Sequence, residues 1–167
     1  MPRNEAFRRL DRPTERVRIA EYAVTDDGTD LTTSGLGSCV GVALYDGDAG
    51  VGGLLHAMLP TSRPGRDQPP GKFVDEGVPA LLAAMRRRGA STGRVRAKLA
   101  GGSEMFEFTS STPVGERNVE AATAVLDELG VTVAATDVGG DRGRSLRLIG
   151  DSGTLVVRTA GGDVVEL

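Results

Sequence analysis

Short apolar runs separated by turn-forming residues dominate the chain, and they predict strands. Some runs alternate with polar residues, as in a strand with one buried face, and others are continuous, as in a strand buried on both faces. Turn sequences such as Asp26-Asp27-Gly28 and Asp151-Ser152-Gly153 separate them. The predicted strands cover residues 17–24, 31–33, 39–45, 51–58, 95–99, 131–138, 146–149 and 155–158.

Two longer segments place apolar residues at helical spacing. The first covers residues 73–88 and ends at Gly89, and the second covers residues 116–129 and ends at Gly130. The apolar positions are Val74, Val78, Leu81, Leu82 and Met85 in the first, and Val119, Ala122, Val125, Leu126 and Leu129 in the second. Because strands outnumber helices and include hairpins, we expect an α+β fold with mixed β-sheets.

The remaining segments predict one domain that follows an extension. Residues 1–15 are polar and Arg-rich, with Pro2 and Pro13, and predict a flexible N-terminal extension. Residues 16–167 predict a single domain, because the length fits one domain and no linker or repeat interrupts it. Residues 59–71 hold four prolines and two glycines and predict a long loop.

Composition is typical of a soluble globular protein, with 39% hydrophobic and 26% charged residues. No run of about 18 apolar residues is present in the sequence, so we expect no membrane insertion. The stretch from Met1 to Arg18 is polar rather than apolar and does not resemble a secretory signal. These features predict a cytoplasmic location.

The charge balance disfavours nucleic acid as a partner. The net charge is −3 and the pI is about 5.2, so no overall positive field attracts phosphate. The densest basic run, Arg86-Arg87-Arg88, falls at a predicted helix end, where it complements the helix dipole. Aromatic residues make up 4% of the chain and tryptophan is absent, which disfavours a base-stacking surface.

One cysteine, Cys39, and one histidine, His56, are present in the whole chain. A single cysteine forms no intramolecular disulfide, and one cysteine with one histidine is a poor metal site. We therefore expect no metal. The remaining chemical pairing is that of a nucleophile and its base.

Hairpin geometry predicts that Cys39 and His56 face each other. With Gly47-Asp48 as a two-residue turn, or with a four-residue loop from Asp46 to Ala49, paired residue numbers add up to 95. That register places Cys39 directly opposite His56 on one face of the hairpin. A one-residue slip would turn one of them to the other face.

The two faces of this hairpin differ in the size of their side chains. One face is bulky and apolar and is predicted to enter the core, and the other holds Gly41, Ala43 and Gly52 beside Cys39 and His56. Small residues beside a reactive pair leave space for a substrate, although a second backbone could fill the same space. A free cysteine in a strand also fits a small buried hydrophobe, and a lone histidine fits a structural role. Because the predicted register places the two residues opposite each other, a catalytic pair is as well supported as these structural interpretations.

Five blocks of sequence form a recognisable set. In chain order they are Thr33-Ser34-Gly35-Leu36-Gly37-Ser38-Cys39-Val40-Gly41-Val42, Gly52-Gly53-Leu54-Leu55-His56-Ala57-Met58-Leu59-Pro60, Lys98-Leu99-Ala100-Gly101-Gly102-Ser103-Glu104-Met105-Phe106, Gly115-Glu116-Arg117-Asn118-Val119 and Asp137-Val138-Gly139-Gly140-Asp141-Arg142-Gly143-Arg144. Together they resemble the CheD chemoreceptor glutamine deamidases, and the resemblance extends from about residue 17 to 158. Departures from the family pattern are Ala100, Ser103 and Val114. None of them touches the candidate catalytic residues.

The resemblance implies a site and a fold. Cys39 corresponds to the nucleophile, His56 to the general base and Thr33 to a third catalytic residue that orients the imidazole. Backbone N–H groups of Ser38 or Cys39 are candidates for binding the oxyanion. Gly37, Gly41 and Gly52 are candidates for the substrate groove. The implied fold is an α/β sandwich with mixed β-sheets and flanking helices, related to glutamine-deamidating toxins, and the chemistry requires no cofactor.

The same resemblance implies an activity and two partners. The activity is that of a protein-glutamine glutaminase that converts chemoreceptor glutamine to glutamate through a cysteine thioester, releasing ammonia, in chemotaxis adaptation. The substrate partner is a set of cytoplasmic helices of methyl-accepting chemoreceptors, and the regulatory partner is a CheC-type phosphatase, with the 59–71 loop near the contact. The alternative is a regulatory binding module whose main task is docking to that phosphatase. An inert paralogue is disfavoured, since Thr33, Cys39 and His56 are all present.

Overall fold

A computed structural model describes residues 12–65, 67–104 and 112–167. Within these residues the chain forms ten strands and two α-helices, with one short 3-10 turn at Pro70–Lys72. In chain order the elements are β1 (Thr14–Arg16), β2 (Tyr22–Thr25), β3 (Asp30–Leu36), β4 (Val40–Asp46), β5 (Val51–Ala57), α1 (Val74–Arg86), β6 (Arg96–Gly101), α2 (Val114–Glu128), β7 (Thr132–Val138), β8 (Arg144–Leu148), β9 (Leu155–Thr159) and β10 (Val164–Glu166).

The strands form two five-stranded sheets, and both are mixed. Sheet 1 has the order β1-β3-β8-β9-β10, in which β1 is parallel to β3 and the other neighbours are antiparallel. Sheet 2 has the order β2-β5-β4-β6-β7, in which only β6 and β7 are parallel. The expected α+β class with mixed sheets is confirmed.

Sheet 2 is the middle layer of the sandwich, with the helices on one face and sheet 1 on the other. Its β4 contributes Val40, Val42 and Leu44 to a core shared with α1 and α2. On the opposite face, Ala43 joins a second core that contains Leu31 from β3, and further strands of sheet 1 complete that core. Strand β4 is therefore buried on both faces, which explains its nearly continuous apolar sequence.

Helix α1 follows the predicted amphipathic pattern. All five of its predicted apolar positions are buried, and Gly89 adopts a φ of 103°, as expected for a glycine that ends a helix. Helix α2 buries three of its five predicted positions, with Val119 and Leu129 packed at the edge of the same core. The helical predictions are confirmed to within a few residues at their ends.

The predicted register of the β4–β5 hairpin is wrong by two residues. Asp46 pairs with Val51, so the loop contains residues 47–50, and Gly41 rather than Cys39 pairs with His56. The reason is the Asp46 carboxylate, which accepts backbone N–H bonds from Asp48 and Ala49 and holds a four-residue loop. Gly50 closes the loop with a φ of 66°. Because the error is an even number, the faces of the hairpin are as predicted.

Two short strands, β1 and β10, were not predicted from the sequence. Strand β1 is exposed and polar and pairs with β3, and the guanidinium of Arg12 just before it binds the carboxylates of Asp30 and Asp151. The boundary expected between residues 15 and 16 falls inside β1. Residues 1–11 of the expected extension lie outside the described residues.

Within the ranges that the structure describes, neither helix is long and apolar enough to cross a membrane. Helix α1 has 13 residues and α2 has 15, and each carries charged side chains on one face.

Candidate active site

Cys39 lies in the short connection between the two sheets. Strand β3 of sheet 1 ends at Leu36 and β4 of sheet 2 begins at Val40, so three residues carry the chain from one sheet to the other. Gly35 has a φ of 74°, which lets β3 bulge and turn before the crossing. The position of Cys39 is thus fixed by the point where the sheets meet. We call residues 37–39 the cysteine connection.

Successive carbonyl groups of the cysteine connection accept hydrogen bonds from surrounding segments. The Gly37 carbonyl accepts from the Ser103 N–H at 2.9 Å, and the Cys39 carbonyl accepts from the Gly102 N–H at 2.8 Å. The Ser38 carbonyl between them accepts from the side-chain amide of Asn118 at 2.8 Å. An irregular segment with every carbonyl bonded in this way is held in one conformation.

His56 lies on β5 and is 1% exposed. Its backbone N–H donates to the Glu21 carbonyl at 3.0 Å, and its carbonyl accepts from Ala20 at 2.9 Å. Strand β5 lies between β2 and β4 in sheet 2, so the backbone that carries the imidazole is held by hydrogen bonds on both sides.

The hydroxyl of Thr33 determines the tautomer of His56. Thr33 Oγ1 lies 2.7 Å from His56 Nδ1 and also 2.7 Å from the Val17 carbonyl oxygen. A carbonyl only accepts, so the single hydroxyl proton is donated to Val17, and Oγ1 must accept from Nδ1–H. The neutral imidazole therefore carries its proton on Nδ1 and has its lone pair on Nε2.

Cys39 and His56 share the space between the two sheets. The Cys39 side chain packs in the core between the sheets, and the His56 imidazole meets Thr33 of sheet 1 in the same layer. Within the described part of the chain, His56 Nε2 has no hydrogen-bond partner. An imidazole lone pair without a partner, in the same inter-sheet layer as the only thiol, is suited to accept the thiol proton once the two groups come within hydrogen-bond distance.

Burial keeps both groups neutral in the free protein. It raises the pKa of the Cys39 thiol, although the Cys39 backbone N–H acts in the opposite direction. It also lowers the pKa of His56 to about 4. At neutral pH the site therefore holds a thiol and a neutral imidazole, rather than a preformed thiolate–imidazolium pair, and the neutral imidazole is able to accept a proton.

The predicted groove at Gly41 and Gly52 is wrong. A Cβ atom at Gly41 would lie 2.4 Å from a methyl group of Leu146, and one at Gly52 would lie 3.0 Å from the Tyr45 ring. Packing between the sheets fills this space, which is the alternative that the sequence left open. Ser38 and Gly35, on the other side of the connection, are exposed. A role for Gly37 in substrate binding stays a prediction.

The residues described offer no evident metal site. No group of three or more histidine, cysteine or acidic residues lies close enough to hold an ion in residues 12–65, 67–104 and 112–167. The chain's one thiol and one imidazole are both placed at the inter-sheet site. This arrangement can perform nucleophilic attack with general base assistance.

Sequence reasoning missed the role of Asn118. It noted the block that contains this residue but assigned no function to the side chain. The available signal was a polar residue on the helix face that also carries Ala122 and Val125, both buried. Asn118 is itself 0% exposed. A fully buried amide at a helical core position requires hydrogen-bond partners, and the partners of its Nδ2 group lie beside Cys39 and beyond His56, whereas Oδ1 has none among the described residues.

Comparisons with known proteins agree with the resemblance in the sequence. The model of the family described as CheD chemotactic sensory transduction matches residues 58–159. A Haloarcula marismortui protein named as a probable chemoreceptor glutamine deamidase CheD is 46% identical over 153 residues, covering 91% of this chain and 88% of the relative. A Thermotoga maritima protein named chemoreceptor glutamine deamidase CheD is 42% identical over 146 residues, covering 87% and 92%.

A solved structure shares the fold. The crystal structure of a Neisseria meningitidis protein described as DUF152 superposes with a TM-score of 0.51 at 13% identity, covering 83% of this chain and 67% of that one. At this identity the likeness concerns the fold alone.

Proposed function

The chain belongs to the CheD family of chemotactic sensory transduction proteins, and we propose that it is a protein-glutamine deamidase that acts on chemoreceptors in the cytoplasm. The observation that carries the proposal is the polar chain from Val17 through Thr33 to His56, which leaves Nε2 free to act as a base beside Cys39. Relatives named as chemoreceptor glutamine deamidases support the choice of substrate.

In the first half-reaction, Cys39 Sγ attacks the carbon of a glutamine carboxamide. His56 Nε2 takes the thiol proton as the carbon–sulfur bond forms, and the Nδ1–H bond to Thr33 supports the resulting imidazolium. Nε2 then donates that proton to the nitrogen as the carbon–nitrogen bond breaks. Ammonia leaves and a thioester between the glutamyl side chain and Cys39 remains.

In the second half-reaction, water replaces the thiol. His56 Nε2 takes a proton from the water as its oxygen attacks the thioester carbon, and it returns the proton to Sγ as the carbon–sulfur bond breaks. The products are a glutamate side chain and the original thiol. Since Nε2 serves as base and then acid in each half, no further titrating group is required.

The tetrahedral oxyanion needs donors on the side of Cys39 that the substrate reaches. We propose the backbone N–H groups of Ser38 and Cys39 as these donors, because both belong to the rigid cysteine connection. The Cys39 N–H already acts electrostatically on its own sulfur. Exposure of Ser38 allows a protein side chain to reach this position.

A deamidase reaction adds one negative charge to the substrate at each site. This changes the receptor surface electrostatics and supplies a glutamate, which fits a role in chemotaxis adaptation. The test is incubation of the purified protein with a chemoreceptor cytoplasmic fragment. We expect release of ammonia and a mass gain of roughly 1 Da per modified glutamine, as amide hydrolysis requires. Binding of the fragment without ammonia or mass change would favour the docking module instead.

A further inference from the structure

We propose that Asn118 is a positioning residue of the active site, whose amide group holds the segments of the nucleophile and the base at a fixed separation and turns the Cys39 N–H toward the oxyanion. The inference rests on the proposed function, in that the oxyanion belongs to that reaction. We call the two hydrogen bonds from the Asn118 amide the clamp, and the structural evidence for them is independent of the substrate.

A single amide nitrogen joins the two catalytic segments. Asn118 Nδ2 donates to the Ser38 carbonyl at 2.8 Å and to the Met58 carbonyl at 3.0 Å. Ser38 precedes Cys39, and Met58 follows His56 by two residues. The orientation of the amide is unambiguous, because the reversed amide would place Oδ1 against two carbonyl oxygens, which only accept hydrogen bonds.

The bond to Ser38 also sets the direction of the next N–H group. In a trans peptide, the C=O of one residue and the N–H of the next point in opposite directions, and no cis peptide is present in the described residues. The Ser38 carbonyl points toward α2, on the helix face of sheet 2. The Cys39 N–H therefore points away from α2, to the inter-sheet side where the Cys39 side chain lies.

Close backbone packing brings Asn118 within reach. A Cβ atom at Gly115 would lie 2.6 Å from the carbonyl oxygens of Gly102 and Ser103, so the first turn of α2 touches that backbone directly. Gly102 and Ser103 in turn bond the carbonyls of Cys39 and Gly37. Helix α2 and the 102–103 segment thus support the cysteine connection together. Asn118 alone among these contacts also bonds the segment that follows His56, through the Met58 carbonyl.

The test compares Asn118→Ala and Asn118→Asp with the control Val125→Ala, which truncates a buried side chain on the same helix away from the site. Asn118→Asp keeps the size and shape of the side chain but removes the donor. Each protein is assayed for deamidation of a chemoreceptor fragment and for alkylation of its only thiol by iodoacetamide across pH. Thermal unfolding confirms that each variant is folded.

We expect kcat to fall about 100-fold in both Asn118 variants with KM within about threefold, as for loss of an oxyanion donor. Alkylation near pH 7 should fall about tenfold, and the deficit should close at high pH, where the thiol ionises without the imidazole. Val125→Ala should match the unmodified protein in both assays. Folded Asn118 variants with unchanged kcat and an unchanged alkylation profile would overturn the proposal.

Two further observations keep the test decisive. If the unmodified protein releases no ammonia, the deamidase function fails, but the alkylation comparison still decides the role of Asn118. If neither variant folds, exchange of the Asn118 amide protons in the unmodified protein decides it. These protons should exchange at least about 100-fold more slowly than those of a free asparagine amide, and exchange at the free rate would overturn the clamp.

Discussion

Thr33 of sheet 1 and His56 of sheet 2 are joined across the sandwich by one hydrogen bond of 2.7 Å. Both side chains are buried, and the hydroxyl proton is already committed to the Val17 carbonyl. The bond therefore runs from His56 Nδ1–H to the Thr33 oxygen, and it makes the stacking of the two sheets a condition for the correct histidine tautomer.

Replacing Thr33 by valine tests this bond with almost no change in shape. The Nδ1–H loses its acceptor, and the imidazole can rotate or move its proton to Nε2. We expect Thr33→Val to lower kcat by about 100-fold or more, the lower end of the range for general base catalysis, with a loss of about 1–3 kcal/mol in stability for the unpaired buried groups.

Thr33→Ser is the matched control, because it restores the hydroxyl oxygen and should retain activity within about tenfold of the unmodified protein. Steady-state kinetics and thermal unfolding measure both quantities. A valine variant as active as the serine variant would show that the backbone around residue 33, rather than its hydroxyl, supports His56.

The pH dependence of kcat/KM follows from the neutral resting state. Burial lowers the pKa of His56 to about 4 and raises that of Cys39, so thiol and neutral imidazole coexist from the acid side of neutrality to above the ordinary cysteine pKa. We expect a plateau through neutral pH with the acid limb below about pH 5. An acid limb centred between about pH 6 and 7 would indicate an ordinary, solvated histidine.

Stability should respond to pH through the same group. The unfolded chain takes up a proton on His56 below about pH 6.5, whereas the folded chain stays neutral until about pH 4. The contribution of neutral, buried His56 to the free energy of unfolding is therefore fully present above the unfolded pKa, and it is lost as the pH drops through this window. Unfolding by urea at pH 7 and at pH 4.5 measures the loss, and His56→Asn should remove part of it. An identical pH dependence in that variant would assign the loss to other groups.

Gly101 should be far less tolerant of a side chain than Gly89, although the two have nearly the same φ angle. Their φ angles are 102° and 103°, so alanine is strained at both positions. A Cβ atom at Gly101 would also lie 2.5 Å from the Cys39 carbonyl oxygen, whereas nothing lies within 4 Å at Gly89.

We expect Gly101→Ala to cost about 2–4 kcal/mol and most of the activity, and Gly89→Ala to cost about 1–2 kcal/mol and no activity. Chemical denaturation and the deamidation assay measure these losses. Equal stability losses with equal activity would contradict the close packing of β6 on Cys39.

The amphipathic and apolar segments were predictable because their signal is local. The five buried positions of α1 fall at helical spacing, and the runs on β4 and β5 mark both strands. The hairpin register was not predictable, because it depends on where Asp46 is held. Its buried carboxylate accepts from the Ser91 N–H at 2.8 Å and binds the Arg94 guanidinium, both far along the chain.

Part of the site was predictable and part depends on the stacking of the sheets. Cys39 and His56 were identified as the only residues of their kinds, and both side chains enter the space between the sheets, as predicted for one face of the hairpin. The Thr33 contact with His56 lies between two sheets, which no periodicity within one strand reveals. The amide of Asn118 bridges segments 80 and 60 residues away, so its partners were equally hidden.

The most direct test of the account is a search for the thioester on Cys39. The protein is mixed with a chemoreceptor cytoplasmic fragment, quenched in acid during the first turnovers and analysed by intact and peptide mass spectrometry. The account predicts an adduct on Cys39 equal to the substrate mass less about 17 Da, the ammonia lost, which hydroxylamine removes. It also predicts neither adduct nor ammonia from Cys39→Ala, since no other thiol exists in the chain. Ammonia release by Cys39→Ala at the rate of the unmodified protein would contradict the account.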